Sequence, residues 1–238
     1  MVFLHEGLGS VAAWRDFPDR VAAELGCRAL VYSRRGYGSS EPVAGPRPVR
    51  FMHEEALEVL PAVLAHFGLG RVALFGHSDG ASIALIYSGS HPEGVAGLVL
   101  LAPHVFVEPV CLESIARLAA AYESTDLARR LGRYHEHTDA MFRAWADVWL
   151  RPEFALWNIE EVLPAVTAPV LVVQGEDDEY GTLRQVEAIT RQVGGRAEAL
   201  LLPGAGHSSH RDRPAEVLAA TTRFLGRVFG WPIRKKLG

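Results

Sequence analysis

Cysteine is scarce: Cys27 and Cys111 are the only two in 238 residues, and neither has a second Cys or a His at metal-ligand spacing. A disulfide framework and a zinc site are left without support, and a reducing cytoplasm is the expected location. Charge of one sign is lacking too. The 24 Lys and Arg stand against 28 Asp and Glu, a formal net charge of −4 with no sustained basic stripe, so no nucleic-acid partner is expected. No apolar run approaches a membrane span, and the opening Met1-Val2-Phe3-Leu4-His5-Glu6 has neither the basic start nor the apolar length of a signal peptide. Neither a membrane partner nor export is read from the chain. Repeats and low-complexity tracts are absent apart from a Pro-rich turn between Pro42 and Pro48, and the basic end Arg234-Lys235-Lys236 reads as a solvated tail.

What is present is ordinary globular composition, 49% hydrophobic and 22% charged, in a length that suits one large α/β domain. Short β-branched apolar runs recur at residues 2–5, 29–32, 72–75, 95–101, 170–174 and 198–202, separated by longer segments with helical spacing. Residues 54–67 and 216–229 carry the clearest helical stripes. This alternation predicts a mostly parallel sheet flanked by helices. Between residues 105 and 167 the rhythm breaks into helical patterns rich in Leu, Ala, Arg and Trp. The predicted organisation is therefore a core of residues 1–104 and 168–238, with a helical lid at 105–167 over the carboxyl edge of the sheet.

Gly76-His77-Ser78-Asp79-Gly80 stands between an apolar strand and a helix predicted to begin near Ala81. In that context the flanking glycines permit a tight turn that presents the serine hydroxyl at the end of the sheet. A serine alcohol needs a base, and the base needs a carboxylate to orient it. Glu176, Asp177 and Asp178 follow the run at 170–174, and His207, with His210 nearby, follows the run at 198–202, in the chain order serine, acid, histidine. Ten histidines compete for the role of base.

Over nearly its whole length the chain resembles the α/β-hydrolase superfamily. The resemblance implies Ser78 as nucleophile. It selects Asp178, three residues after Gly175, as the acid ahead of Asp177, and His207 in Gly204-Ala205-Gly206-His207-Ser208 as the base ahead of His210. It further implies two backbone oxyanion donors, Asp79 N–H and Gly7 N–H with Leu8 as the alternative, because residues 5–9 are similar to the family's H-G-x-x-G segment. Glu6 departs from that segment; it is either a turn residue or a carboxylate beside the pocket. Ser33-Arg34-Arg35-Gly36-Tyr37-Gly38-Ser39-Ser40 resembles the D-x-R-G-x-G-x-S loop with Ser33 in place of the aspartate. The pairing of Ser78 with Asp79, and the segment Trp157-Asn158-Ile159-Glu160-Glu161-Val162-Leu163-Pro164, are similar to the biphenyl hydrolase-like (valacyclovirase) branch. There the corresponding aspartate holds a substrate ammonium; the alternative for Asp79 is a helix cap. Trp145 and Trp149, four residues apart, with Leu8 and Asp79, are candidate substrate contacts; Trp145, Trp149 and Trp157 equally suit core packing.

These residues lead to an expected serine hydrolase of a small carboxylic ester, working through an acyl-enzyme without cofactor or metal. A carbon–carbon bond hydrolase of ring-cleavage products and a non-catalytic ligand-binding protein are the alternatives. The superfamily usually has strands ahead of the run at 2–5, and their absence would leave 29–32 at an open edge. Either the natural start lies upstream of Met1, or copies associate as a homodimer through that edge.

Overall fold

Every apolar run picked out in the sequence is a strand in the structure, a computed structural model that describes residues 1–230. The basic end at residues 234–236 lies outside the described residues. The strands are β1 (Val2–Leu4), β2 (Leu30–Val31), β3 (Val72–His77), β4 (Val95–Leu101), β5 (Val170–Gly175) and β6 (Ala197–Leu202). They form one parallel sheet in the order β2-β1-β3-β4-β5-β6. β2 stands at the edge, as predicted, but spans two residues rather than four. Among the described residues its only partner is β1, which offers Val2 and Phe3 as register positions before the chain turns at His5. β3 instead runs two residues further than its apolar pattern, because Gly76 and His77 pair with Leu100 and Leu101 of β4.

Alternation along the strands sorts the core into two layers. On one face Phe3, Phe75, Val99, Leu101, Leu171 and Val173 pack beneath α1 (Phe17–Leu25) and α8 (Pro214–Phe229). On the other, Leu4, Leu74, Leu98, Leu100 and Val172 pack beneath α2 (residues 51–66) and α3 (Asp79–Ser90). α3 is buried along nearly its whole length, so it lacks the polar face of a surface helix. α2 widens into a π turn at Glu55–Val59. Pro61 explains this: its ring crowds the carbonyl four residues earlier and it has no N–H to donate.

Between β4 and β5 lie α4 (Pro109–Ser124), α5 (Leu127–Leu131) and α6 (Thr138–Trp149), with an isolated antiparallel bridge joining Phe106 to Asn158. The root of α4 is tied to α7 (Leu183–Gln192) by Glu108. Its buried carboxylate accepts from Thr182 N–H at 3.0 Å, Thr182 Oγ1 at 2.7 Å and Gln185 Nε2 at 2.8 Å. Among the described residues no helix is long and apolar enough to cross a membrane.

α3 approaches β1 so closely that Gly80 can carry no side chain: a methyl group there would overlap the carbonyl oxygens of Leu4 and His5. Gly80→Ala is therefore expected to cost about 3 kcal/mol or more in denaturant unfolding, because backbone cannot yield. Gly68→Ala, at φ 60 in open space, should cost only about 1–2 kcal/mol. Equal losses would show that the α3–β1 contact does not control stability.

Candidate active site

Ser78 occupies the single residue that turns β3 into α3, with φ 52 and ψ −120. A side chain in this region costs about 1–3 kcal/mol and persists only where its surroundings enforce it. Here Ser78 N–H donates to Leu101 O at 2.9 Å, and Ser78 O accepts from Ala81 N–H at 2.8 Å. Gly76 has room for nothing larger, since a methyl group would strike the backbone of Gly80 and Ala81.

Across the carboxyl edge, Gly175 closes β5 and lets the Ala205 and Gly206 carbonyls pack against it. That approach brings the two loops together. His207 Nδ1 lies 2.9 and 3.0 Å from the two carboxylate oxygens of Asp178, whose side chain is 1% exposed. Asp178 also accepts from Gln174 Nε2 at 2.7 Å and Tyr180 N–H at 2.8 Å. Burial works to raise the Asp178 carboxyl, but His207 and the Tyr180 N–H outweigh it and hold the group below its ordinary value. Burial likewise works to lower His207, and Asp178 outweighs it to raise the imidazole. With Nδ1–H donating to Asp178, Nε2 is left as an acceptor. The His207 backbone is gripped as well: its N–H donates to Glu179 Oε2 at 3.2 Å and its carbonyl accepts from His77 Nε2 at 2.9 Å.

The competing candidates lie elsewhere. Asp177 is exposed. His210 is buried among Trp14, Phe17 and His77, neither ring nitrogen has a hydrogen-bond partner among the described residues, and burial holds it well below its ordinary value, as a neutral packing residue.

Ser78, Asp79, His207, Gly7, Leu8, Trp145 and Trp149 line one cavity of ≈ 250 Å³. The loop that carries Gly7 is fixed from behind. Glu6 O accepts from His5 Nδ1–H at 2.7 Å and from the Arg34 guanidinium at 2.9 Å. Because a trans peptide points its C=O and N–H in opposite directions, this grip aims the Gly7 N–H away from Arg34. Arg34 N–H in turn donates to His5 Nε2 at 3.1 Å, so His5 is the neutral Nδ1–H tautomer. Burial and the Arg34 charge keep it so.

Glu6 is a carboxylate on the cavity wall, not a simple turn residue. Its oxygens stand 3.4 Å from His77 Nδ1 and 3.5 Å from Arg211. Burial works to raise it, and His77 and Arg211 hold it well below the usual carboxylate range. Asp79 belongs to the first turn of α3, which begins two residues before the predicted start at Ala81, and its side chain caps nothing. Its carboxylate is raised by burial against the opposing pull of Arg34, 4.0 Å away, and Arg47. Trp157 lies outside the cavity, stacked on Phe154 at 5.6 Å. Among the described residues no cluster of His, Cys, Asp or Glu is placed to hold a metal.

Several cavity residues escaped the sequence reading. Cys111, Ile115 and Leu118 line it from one face of α4, where spacings of four and three signal only packing. His104 had a legible signal, its place just beyond β4 at the carboxyl edge of the sheet. Burial, with the nearby His207, lowers it to about 4.

These environments fix an order of titration. NMR of the ring protons should show His207 titrating above 6.5, His104 near 4, and His5 and His210 neutral throughout the neutral range. The His207–Asp178 pair then adds stability in full below pH 6.5 on the histidine side, and that part fades as pH rises through the raised value. On the aspartate side it is present above 3.8 and fades as pH falls. A His207 that titrates below 6.5 would contradict the pairing.

The profile of the "Alpha/beta hydrolase family" matches residues 1–221. The 2-succinyl-6-hydroxy-2,4-cyclohexadiene-1-carboxylate synthase of Enterobacter sp. (strain 638) is 25% identical, over 94% of this chain and 91% of its own. The proline iminopeptidase of Lactobacillus helveticus (strain DPC 4571) is 23% identical, over 94% and 89%. A structure from work on carboxylesterases of the thaumarchaeon Nitrososphaera gargenis superposes with a TM-score of 0.76 at 19% identity, covering 96% of this chain and 90% of that one. With the sheet order, the turn at Ser78 and this match over most of its length, the chain belongs to the alpha/beta hydrolase family.

Proposed function

We propose that the protein is a serine hydrolase that cleaves a small carboxylic ester through an acyl-enzyme. The observation that carries this reading is the meeting at one cavity of Ser78, in its left-handed turn, and His207, whose Nδ1 is committed to Asp178. Ser78 Oγ attacks the ester carbonyl while His207 Nε2 takes its proton, and Asp178 orients the imidazole and stabilises its charged form. The Gly7 and Asp79 N–H groups receive the negative charge that develops on the carbonyl oxygen. His207 then protonates the leaving alcohol, and water, activated by the same imidazole, releases the acid.

Size and charge support an uncharged acyl group. The cavity of ≈ 250 Å³ is at the small end of ligand sites, and Cys111, Ile115, Leu118 and Leu131 give it an apolar wall. Two carboxylates on that wall already face protein cations, Asp79 with Arg34 and Glu6 with Arg211. A substrate ammonium would therefore share either carboxylate with a protein cation, although among the described residues Asp79 Oδ2 has no hydrogen-bond partner of its own. Of the reactions named among the similar proteins, ester cleavage of the carboxylesterase kind suits this wall better than removal of a charged amino-terminal residue.

The test is a panel of p-nitrophenyl esters, with a ring-cleavage diketone and an aminoacyl ester alongside. Short uncharged esters should turn over fastest. Ser78→Ala should lower kcat by on the order of 10⁴- to 10⁶-fold, with His207→Ala close behind. Asp178→Asn should cost on the order of 10³- to 10⁴-fold, and Asp177→Asn less than about threefold. Turnover of the diketone alone would replace the reading with carbon–carbon cleavage. No turnover, with no fluorophosphonate labelling of Ser78, would indicate a binding protein.

A further inference from the structure

The segment between β4 and β5 does more than wall the cavity. His135, between α5 and α6, reaches into the core with 5% exposure and uses both ring nitrogens. Its Nδ1 accepts from Gly38 N–H at 3.0 Å, in the loop after β2. An acceptor at Nδ1 places the ring proton on Nε2, which lies 2.9 Å from Leu8 O and donates to it. The ring is locked in turn. Thr138 Oγ1 donates to His135 O at 2.9 Å, and Glu136 N–H donates to Gly38 O at 2.9 Å. Leu8 follows Gly7, and a methyl group on Gly7 would run into Trp145 Nε1, so the same segment presses on the loop from a second side.

We propose that His135 is a positioning residue for ester hydrolysis, a hydrogen-bonded strut from the insertion that holds the Gly7–Leu8 loop at the angle its N–H groups need to meet the oxyanion. The inference rests on the esterase reading for its kinetic consequence, but not for its structural one. Arg34 and His5 fix the loop at Glu6 O, and His135 fixes it at Leu8 O. Gly7 lies between the two anchors. Only the neutral Nε2–H tautomer serves: the imidazolium has no acceptor for Gly38 N–H and turns a second donor toward it.

The titratable groups facing His135 are His5 and Glu6 from the loop after β1 and Tyr37 from the loop after β2. Burial lowers His135, ahead of the opposing pull of the Leu8 carbonyl and Glu6, so the ring is neutral at pH 7. Protonation at lower pH disarms the strut in addition to the base.

The experiment compares the parent with His135→Gln, which keeps a donor near the Nε2 position, and His135→Leu, which keeps neither bond. Three readouts are taken: p-nitrophenyl ester kinetics, the inhibition constant for a trifluoromethyl ketone that forms an oxyanion on Ser78, and hydrogen exchange of residues 5–10. The Leu variant should lose kcat about 10- to 100-fold with KM changed less than about threefold, because a misaimed donor weakens the transition state more than the ground state. Affinity for the ketone should fall in parallel, exchange in residues 5–10 should quicken, and the Gln variant should recover part of each. On the acid limb, log(kcat/KM) of the parent should steepen from a slope of one toward two below the titration of His207. The Gln variant should follow the shallower line; His104, which titrates near 4 in both, cancels from the comparison.

A folded Leu variant with parental kcat, ketone affinity and loop exchange would overturn the proposal. Identical acid limbs for parent and Gln variant would also overturn it. If the parent cleaves no ester while the Leu variant still loosens residues 5–10, the esterase reading fails and the strut stands.

Discussion

The chain turns from β3 into α3 within one residue, and Ser78 can hold φ 52 there only because Gly76 and Gly80 contribute no side chains to a crowded junction. Gly80 lies against the Leu4 and His5 carbonyls, so the same close approach that shapes the turn also sets the height of the loop after β1. One steric constraint thereby places both the serine and the loop that carries Gly7. Because backbone meets backbone at this junction, the arrangement is rigid, and a hydroxyl held by rigid neighbours needs little reorganisation before it reacts.

Around that junction the polar groups form a chain. Arg34 and His5 hold Glu6 O, the Glu6 carboxylate faces His77, and His77 Nε2 reaches the carbonyl of His207. His77 thus bonds the loop after β6 through Nε2, while its Nδ1 stands 3.4 Å from Glu6 in the loop after β1 without a hydrogen bond between them. Glu108 and His135 extend the ties to the segment between β4 and β5. Loops otherwise carry few constraints of their own, and these buried bonds supply them. Each tie is specific in geometry, so losing one should misplace a loop more than it unfolds the sheet.

The four inner strands were legible because parallel strands buried on both faces read as continuous apolar runs; the edge strands β2 and β6 are only partly buried, yet the six runs differ from the six strands by no more than two residues at either end. Ser78, Asp178 and His207 were legible through motif and chain order. Glu6 was legible only as one of two alternatives, because its carboxylate gains its place from His77 and Arg211, 71 and 205 positions further along. His135 was not legible either; its partners Leu8 and Gly38 are distant in sequence and contribute only backbone groups, which leave no trace in residue type. The start of α3 was misplaced by two residues since glycine at position 80 suggests loop, whereas tertiary contact with β1 is what selects it.

Cys111 also lines the cavity, but burial pushes its thiol up and away from the reactive thiolate, which leaves Ser78 as the nucleophile of the proposed reaction. The most direct measurement is mass spectrometry of the protein after reaction with a p-nitrophenyl carbamate, whose acyl-enzyme turns over slowly. One carbamoyl group per chain is expected, on the peptide that contains Ser78, and none in Ser78→Ala. A carbamoyl group on Cys111, or an unmodified chain under conditions where nitrophenol is released, would contradict it.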